Sequence, residues 1–431
     1  MYSLYRDYMV IITKIHNKYY NIEGFKHPGG KDAIWHSYGR DATAMFEMYH
    51  PFVNQEKLQS ILQKYEVSAE EAKPYLLAGE DDVPQFEYNT DFSREIKRDV
   101  INYFKEEADK NNTTMRKITT ATTNRWMLIG LLNVLRASSV VWWLSGSMYG
   151  LIISPILTWV ASVNTSHDAH HFSLSDNWKI NRFFGYFMLH YNTPLVWYYQ
   201  HNISHHSYTN MKDKDVDIYL SKDIIRLSPY SPYKYIYKFQ YFMVVLQYLL
   251  VNIGLEIFTS VNTLFENYYF HIIPRYNNIY DKREIVDKTV FIVHFICRYI
   301  LLYFWFNDIY FLLIPLLIQN SLFAFNSQIT HLHDDSFHNE KDWYKHQVLT
   351  SSNHSIGSTF GYIFSGGLNY QIEHHLFPGV NHCHYPYIQP IVEAACVKHG
   401  VAYKKFNGYY DAFCSYYRHI IALSYNDAKK E

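Results

Sequence analysis

The chain has 431 residues, a formal net charge of −1 and four cysteines, Cys297, Cys383, Cys396 and Cys414. Near-neutral charge leaves no basic field for nucleic acid, and cysteines without CxxC or disulfide-like spacing fit a cytosol-facing location. The mean hydropathy of −0.24 is slightly polar, but the average hides long apolar runs, and run length decides membrane insertion.

Met1 to Asp7 lack a basic segment followed by an apolar stretch and a cleavage site, so insertion is expected from internal segments. Residues 1–75 read as a soluble mixed module. Met9–Lys14 is strand-like, Asn17-Lys18 turns the chain, and Tyr19–Ile22 returns it. Pro28-Gly29-Gly30 punctuates, and helical spacing follows over Asp41–His50 and Glu56–Lys64. Residues 76–124 are charged and less periodic, a linker with an amphipathic helix expected from Asp91 to Asn111.

Residues 125–431 carry four candidate membrane spans, Trp126–Leu144, Met148–Val163, Thr289–Phe306 and Ile309–Phe325. Each approaches the roughly 20 residues that cross a bilayer core. Ser145-Gly146-Ser147 and Asn307-Asp308 join them into two helical hairpins. Arg136 and Arg298 lie inside spans, where they must snorkel or face protein.

Three histidine clusters flank the apolar runs: His167-Asp168-Ala169-His170-His171, His201-Asn202-Ile203-Ser204-His205-His206, and Gln371-Ile372-Glu373-His374-His375. Neutral imidazole is a common ligand for iron and zinc. On a helix, residues i and i+4 point the same way, so His167 with His171, or His201 with His205, can hold one metal. Three clusters exceed the needs of one ion and imply two metals. Their ligands must share one side of the membrane, so an even number of crossings separates His206 from His331. Tyr241–Phe258 and Phe183–Tyr199 are therefore expected to be interfacial or surface-packed. Of the 24 histidines, those outside these patterns, such as His16, His36, His190, His271, His294, His399 and His419, read as surface, core or interface groups.

In the N-terminal module, His27-Pro28-Gly29-Gly30 precedes Gly39-Arg40-Asp41-Ala42-Thr43, Phe46 and His50-Pro51. Two imidazoles bind one haem iron from opposite faces and leave no open position, which favours electron transfer. Phe25, Ile34, Trp35, Ala42 and Phe46 are candidates for the apolar pocket. This stretch resembles a cytochrome b5 domain, and the resemblance implies His27 and His50 as axial ligands of haem b. The family pattern places a strand and helix ahead of Val10–Ile12, so the start is expected to fall short of it.

The histidine pattern resembles the membrane fatty acid desaturases. The fused haem domain and Gln371 in place of a histidine narrow the resemblance to the front-end group. It extends to Ser365–Tyr370 and Leu376–Gly379. The implied fold is an α+β cytochrome b5-like haem domain fused to an all-α polytopic membrane domain. That domain has about four transmembrane helices in two hairpins, interfacial helices and a cytosolic di-iron cap. Carried over by position, the metal ligands are His167, His171 and His170; His201, His205 and His206; and Gln371, His374 and His375. One more precedes the third box, His331, with His333 as the alternative. Gln371 either binds iron or holds a water or a second histidine. Asp168 is expected to orient an imidazole; Asn210, Asp215 and Asp217 either do likewise or form a solvated loop.

The resemblance implies O₂-dependent desaturation of an acyl chain on phospholipid or CoA. Electrons would come from NADH through cytochrome b5 reductase and the fused haem to two irons, an oxidant no side chain supplies. Fusion raises the effective concentration of the haem at the metals. An apolar tunnel lined by spans and by Phe183–Tyr199 would hold the substrate. The His201 to His205-His206 spacing, with its flanking residues, resembles Δ5 enzymes more than Δ6 enzymes. A Δ8 sphingolipid long-chain-base desaturase shares the haem domain and glutamine; a hydroxylase would space its histidines differently. An inactive haem-bearing adaptor would show broken boxes, and none is broken. The implied location is the endoplasmic reticulum membrane, multi-pass, with termini and boxes in the cytosol.

Overall fold

The computed structural model describes residues 10–80, 83–187, 194–219, 222–253, 260–270, 272–275 and 282–425. At the N-terminal end, strand Ile12–Ile15 pairs antiparallel with Lys18–Asn21, with Ile12 opposite Asn21 and Ile15 opposite Lys18. His16 and Asn17 turn the hairpin at φ 48° and 62°, the left-handed pair that matches strand twist. Glu66–Val67 adds a third strand beside the second. Short helices Lys31–His36, Thr43–Tyr49 and Gln55–Leu62 close over this sheet. Its small core holds Ile15, Tyr20 and Ile22, packed by Phe25, Ile34, Phe46 and Leu62.

The segment between the two halves does more than tether them. Helix Asp91–Lys110 starts at a Thr90 cap and buries Phe92, Ile96, Val100 and Phe104 along one face, the i, i+4 stripe of a core-facing helix. It packs against helix Tyr385–Lys398. Ala44 and Met48 of the haem half belong to the same apolar core as Phe104, Trp343, Phe377 and Tyr385.

Among the described residues, four helices are long and apolar enough to span a membrane: Thr123–Leu144, Met148–His170, Lys288–Phe306 and Ile309–Gln328. They pair as two hairpins at the expected turns. Trp143 Nε1 donates to the Phe311 carbonyl at 3.1 Å and Trp305 Nε1 to that of Leu144 at 2.9 Å, tying the hairpin tips together. Exposed Trp142, Tyr149, Trp305 and Tyr310 ring those tips, where amphipathic rings suit a membrane interface. Arg298 turns into the bundle and donates to Gln319 Oε1 at 3.0 Å.

The second helix runs past its expected end at Val163 and carries His167 and His170 on its last turns. Its polar end survives because two-thirds of its apolar window is buried in protein, against 17% and 6% for the first and third helices. Helix Gln240–Ile253 lies along the fourth helix, where Asn320 Nδ2 donates to the Leu249 carbonyl at 3.0 Å; residues 254–258 of the expected interfacial run lie outside the described residues. His190 and His271 lie outside the described residues.

Candidate metal centre and haem pair

The elements bring the three clusters together at the inner end of the bundle. The second span presents His167, with His171 at its C-cap; Tyr198–His205 presents the second cluster; Gln371–Leu376 presents the third. Ring nitrogens of His167, His171, His201 and His374 lie within 4.8 Å of one another, as do those of His205, His331 and His375. His206 joins His374 and His375 between these groups. His333 is buried outside all of them.

His201 and His205 fall in different groups, contrary to the α-helical expectation. Tyr198–His205 is wound as a π-helix, and the His206 N–H bonds the His201 carbonyl at 2.9 Å. The wider turn removes the i, i+4 register. His170 also departs from expectation and joins none of the groups. Its Nδ1 faces the Ser166 carbonyl at 2.6 Å, one turn back on its own helix, which fixes the ring away from them.

The donor set fits metal. Nε2 of His201 lies 3.0 Å from that of His167, 2.9 Å from that of His171 and 3.2 Å from that of His206. Nε2 of His374 and of His375, and Oε1 of Gln371, are buried without partners. Such convergence of lone pairs is costly unless a cation accepts them. Several of the opposite nitrogens are anchored, whereas Nδ1 of His167 and of His206 is buried without a hydrogen-bond partner. His205 Nδ1 faces Asp215 Oδ2 at 3.1 Å, His331 Nδ1 the Thr350 carbonyl at 3.0 Å, and His375 Nδ1 Gln347 Oε1 at 2.9 Å. His374 Nδ1 meets the Tyr385 hydroxyl at 3.2 Å. Anchoring Nδ1 aims Nε2 at the centre. Gln371 Nε2 stands 2.7 Å from His331 Nε2, so an amide rotated by half a turn would bring its oxygen to the second group.

Burial, reinforced by neighbouring imidazoles, holds His171, His201, His206, His331, His374 and His375 well below the ordinary histidine range. They are neutral, the form that binds metal. His205 differs. Burial lowers it, but Asp215 and Asp217 more than offset this and raise it. Asn210 Nδ2 braces the His331 carbonyl at 2.8 Å. Asp215 and Asn210 are thus buried supports rather than parts of a solvated loop.

The Asp168 carboxylate lies within 4.8 Å of ring nitrogens of both His167 and His382. It accepts from Arg125 Nη2 at 3.1 Å and Asn381 Nδ2 at 2.9 Å and lies 2.6 Å from His382 Nδ1. His382 stacks on His167 with ring centroids 5.2 Å apart. Its neighbourhood was not readable from box spacing; the only sequence hint is His382-Cys383-His384 shortly after the third box.

A narrow cleft opens beside the groups. Trp159, Val163, Trp197, Phe323 and Leu368 give it apolar walls, and His167, His201 and His331 line its inner end. In the N-terminal half, His27 and His50 face each other with Nε2 atoms 3.5 Å apart. Burial, then the neighbouring His50, pushes His27 down to about 4; burial also lowers His50. Opposed neutral imidazoles above the Phe25, Ile34 and Phe46 cluster suit bis-histidine haem.

These features define a membrane oxidoreductase with a haem domain joined to a histidine-rich metal centre. Residues 121–407 match the fatty acid desaturase family and residues 7–69 the cytochrome b5-like haem/steroid binding domain. The chain belongs to the fatty acid desaturase family, in its front-end form with a fused, haem-binding cytochrome b5 domain. It is 27% identical to a probable Delta(5) fatty acid desaturase C of Dictyostelium discoideum, over 93% of this chain and 88% of the relative. It is 29% identical to an acyl-lipid (8-3)-desaturase of Physcomitrium patens, over 94% and 86%. It is also 27% identical to an sn-1 linoleoyl-lipid 6-desaturase of Synechocystis sp., over 64% and 80%. No solved structure matches.

Proposed function

We propose that the protein inserts a cis double bond at Δ5 of long-chain unsaturated acyl chains. The observation that carries this reading is the likeness, over nine-tenths of the chain, to relatives named Δ5 desaturases. The His201 to His205-His206 spacing supports it. When bound, two irons with O₂ supply the oxidant that takes two hydrogens from adjacent methylenes. His167, His171, His201 and His374 hold one metal; His205, His331 and His375, with Gln371, hold the other; His206 lies between. His27 and His50 hold the haem. Asp215, Thr350, Gln347 and Tyr385 orient the imidazoles, and the walls formed by Trp159, Phe323 and Leu368 seat the acyl chain and exclude water.

The boundaries that accompany this reading are a haem domain over 1–75, a packed connector over 76–124 and a membrane domain over 125–431. NADH–cytochrome b5 reductase is the proposed electron donor, and the endoplasmic reticulum the proposed membrane, with the histidines facing the cytosol. A Δ6 specificity is the second reading, favoured by the likeness to the 6-desaturase. Expression in yeast lacking polyunsaturated acids, with double bonds located by mass spectrometry, tests both. A Δ5 product lost in His201→Ala supports the proposal; a Δ6 product overturns the regiochemistry and keeps the centre.

A further inference from the structure

Tyr49 immediately precedes His50, yet its side chain reaches out of the haem half. Its hydroxyl oxygen lies 3.0 Å from His171 Nδ1 and accepts from Asn202 Nδ2 at 2.9 Å. Asn202 Nδ2 also bonds the His170 carbonyl at 3.1 Å. One phenol of the haem domain therefore ties the first and second histidine clusters together. His171 Nε2 faces the first metal group. For that nitrogen to offer its lone pair, the ring hydrogen must sit on Nδ1. The Nδ1–H then donates to the Tyr49 oxygen, which fixes both tautomer and ring angle.

The contact is held from several sides. The Tyr49 ring meets Phe172 edge-on at 5.7 Å, and Phe52 stacks on Phe377 at 6.0 Å. Gly30, at φ 91°, lies so close to Trp178 that an added Cβ would stand 2.6 Å from its ring. Asp32 pairs with Arg182 at 3.6 Å. The haem half is pinned by packing, so the Tyr49 contact does not depend on a transient encounter.

We propose that Tyr49 is a positioning residue that couples the two redox sites: its hydroxyl fixes His171, and its backbone joins that bond directly to His50. The proposal rests on the reading of His50 and His171 as ligands. The step it serves moves one electron. Ferrous haem is oxidised to ferric, one ferric ion of the metal centre is reduced to ferrous, and no bond is made or broken at Tyr49. The reductant of the haem is an external flavin-type donor.

The test uses the purified full-length chain loaded with haem and iron, and its Tyr49→Phe variant. A flavin semiquinone generated by a light flash reduces the haem without O₂, and haem absorbance then reports its re-oxidation by the metals. The expected result is a concentration-independent re-oxidation that slows about tenfold or more in Tyr49→Phe, with haem spectrum and iron content unchanged. An unchanged rate overturns the proposal. Parallel loss of iron from Tyr49→Phe assigns the hydroxyl to metal retention alone and also overturns the coupling. Wild-type protein that binds haem but no iron would instead refute the ligand reading on which the proposal stands.

Discussion

Asp215→Asn isolates the support beneath one metal. The Asp215 carboxylate is fully buried; Oδ2 faces His205 Nδ1 at 3.1 Å and accepts the Asn210 N–H at 2.7 Å, while Oδ1 accepts the Asp217 N–H at 3.0 Å. Asparagine keeps the shape but removes the charge and one acceptor, so an N–H now opposes a backbone or imidazole N–H. Loss of such an outer partner costs about ten- to a hundredfold in metal affinity, or about 1.4 to 2.7 kcal/mol. The effect should fall on the His205, His331 and His375 group. Iron per chain, measured by mass spectrometry after equilibration with graded chelator, should drop from two to one at chelator levels the wild type withstands. The haem spectrum should not change. An Asp215→Asn chain that keeps two irons through the same titration would refute the reasoning.

His331→Ala should remove iron and desaturation, whereas His333→Ala should retain iron, as read by metal content; equal loss in both would contradict the grouping. Gly367→Ala should destabilise by more than about 1 kcal/mol, because its φ is 90° and the added Cβ would stand 2.6 Å from His382 Cβ; a thermal midpoint equal to wild type would count against this. Burial pushes His346 and His354 down to about 4 from the ordinary 6.5. Below about pH 6.5 the unfolded chain binds protons that the folded chain refuses, so stability should fall towards pH 4 by up to about 1.4 kcal/mol per unit for each group and level off beneath it. Melting in detergent at pH 7.5 and 5 should show this decline reduced in His354→Asn; an unreduced decline would show that His354 does not contribute.

The spans, the hairpin turns and the histidine boxes were legible because run length, short polar turns and repeated spacing are local. The allocation of histidines was not. It depends on the π-winding of Tyr198–His205, which places His201 and His205 in separate groups, and on the backbone bond that turns His170 aside. Ala44 and Met48 lie in a core with Phe377 and Tyr385, residues more than three hundred positions away. Sequence periodicity assigns such residues a face but no partner, so the docking of the haem half, and with it the reach of Tyr49, appears only in three dimensions.

The two hairpins turn at Ser145-Gly146-Ser147 and Asn307-Asp308. Those short links are the polar connections that these four helices carry to the far side of the bilayer, since His171 and His331 both follow the helices' return ends. Each hairpin can therefore enter as a preformed pair, and its polar turn is the part that must be solvated on the far side. The consequence concerns biogenesis: a glycan acceptor or protease site inserted at either turn would be shielded from the compartment holding the haem, and lengthening a turn would tax membrane insertion before it touched catalysis.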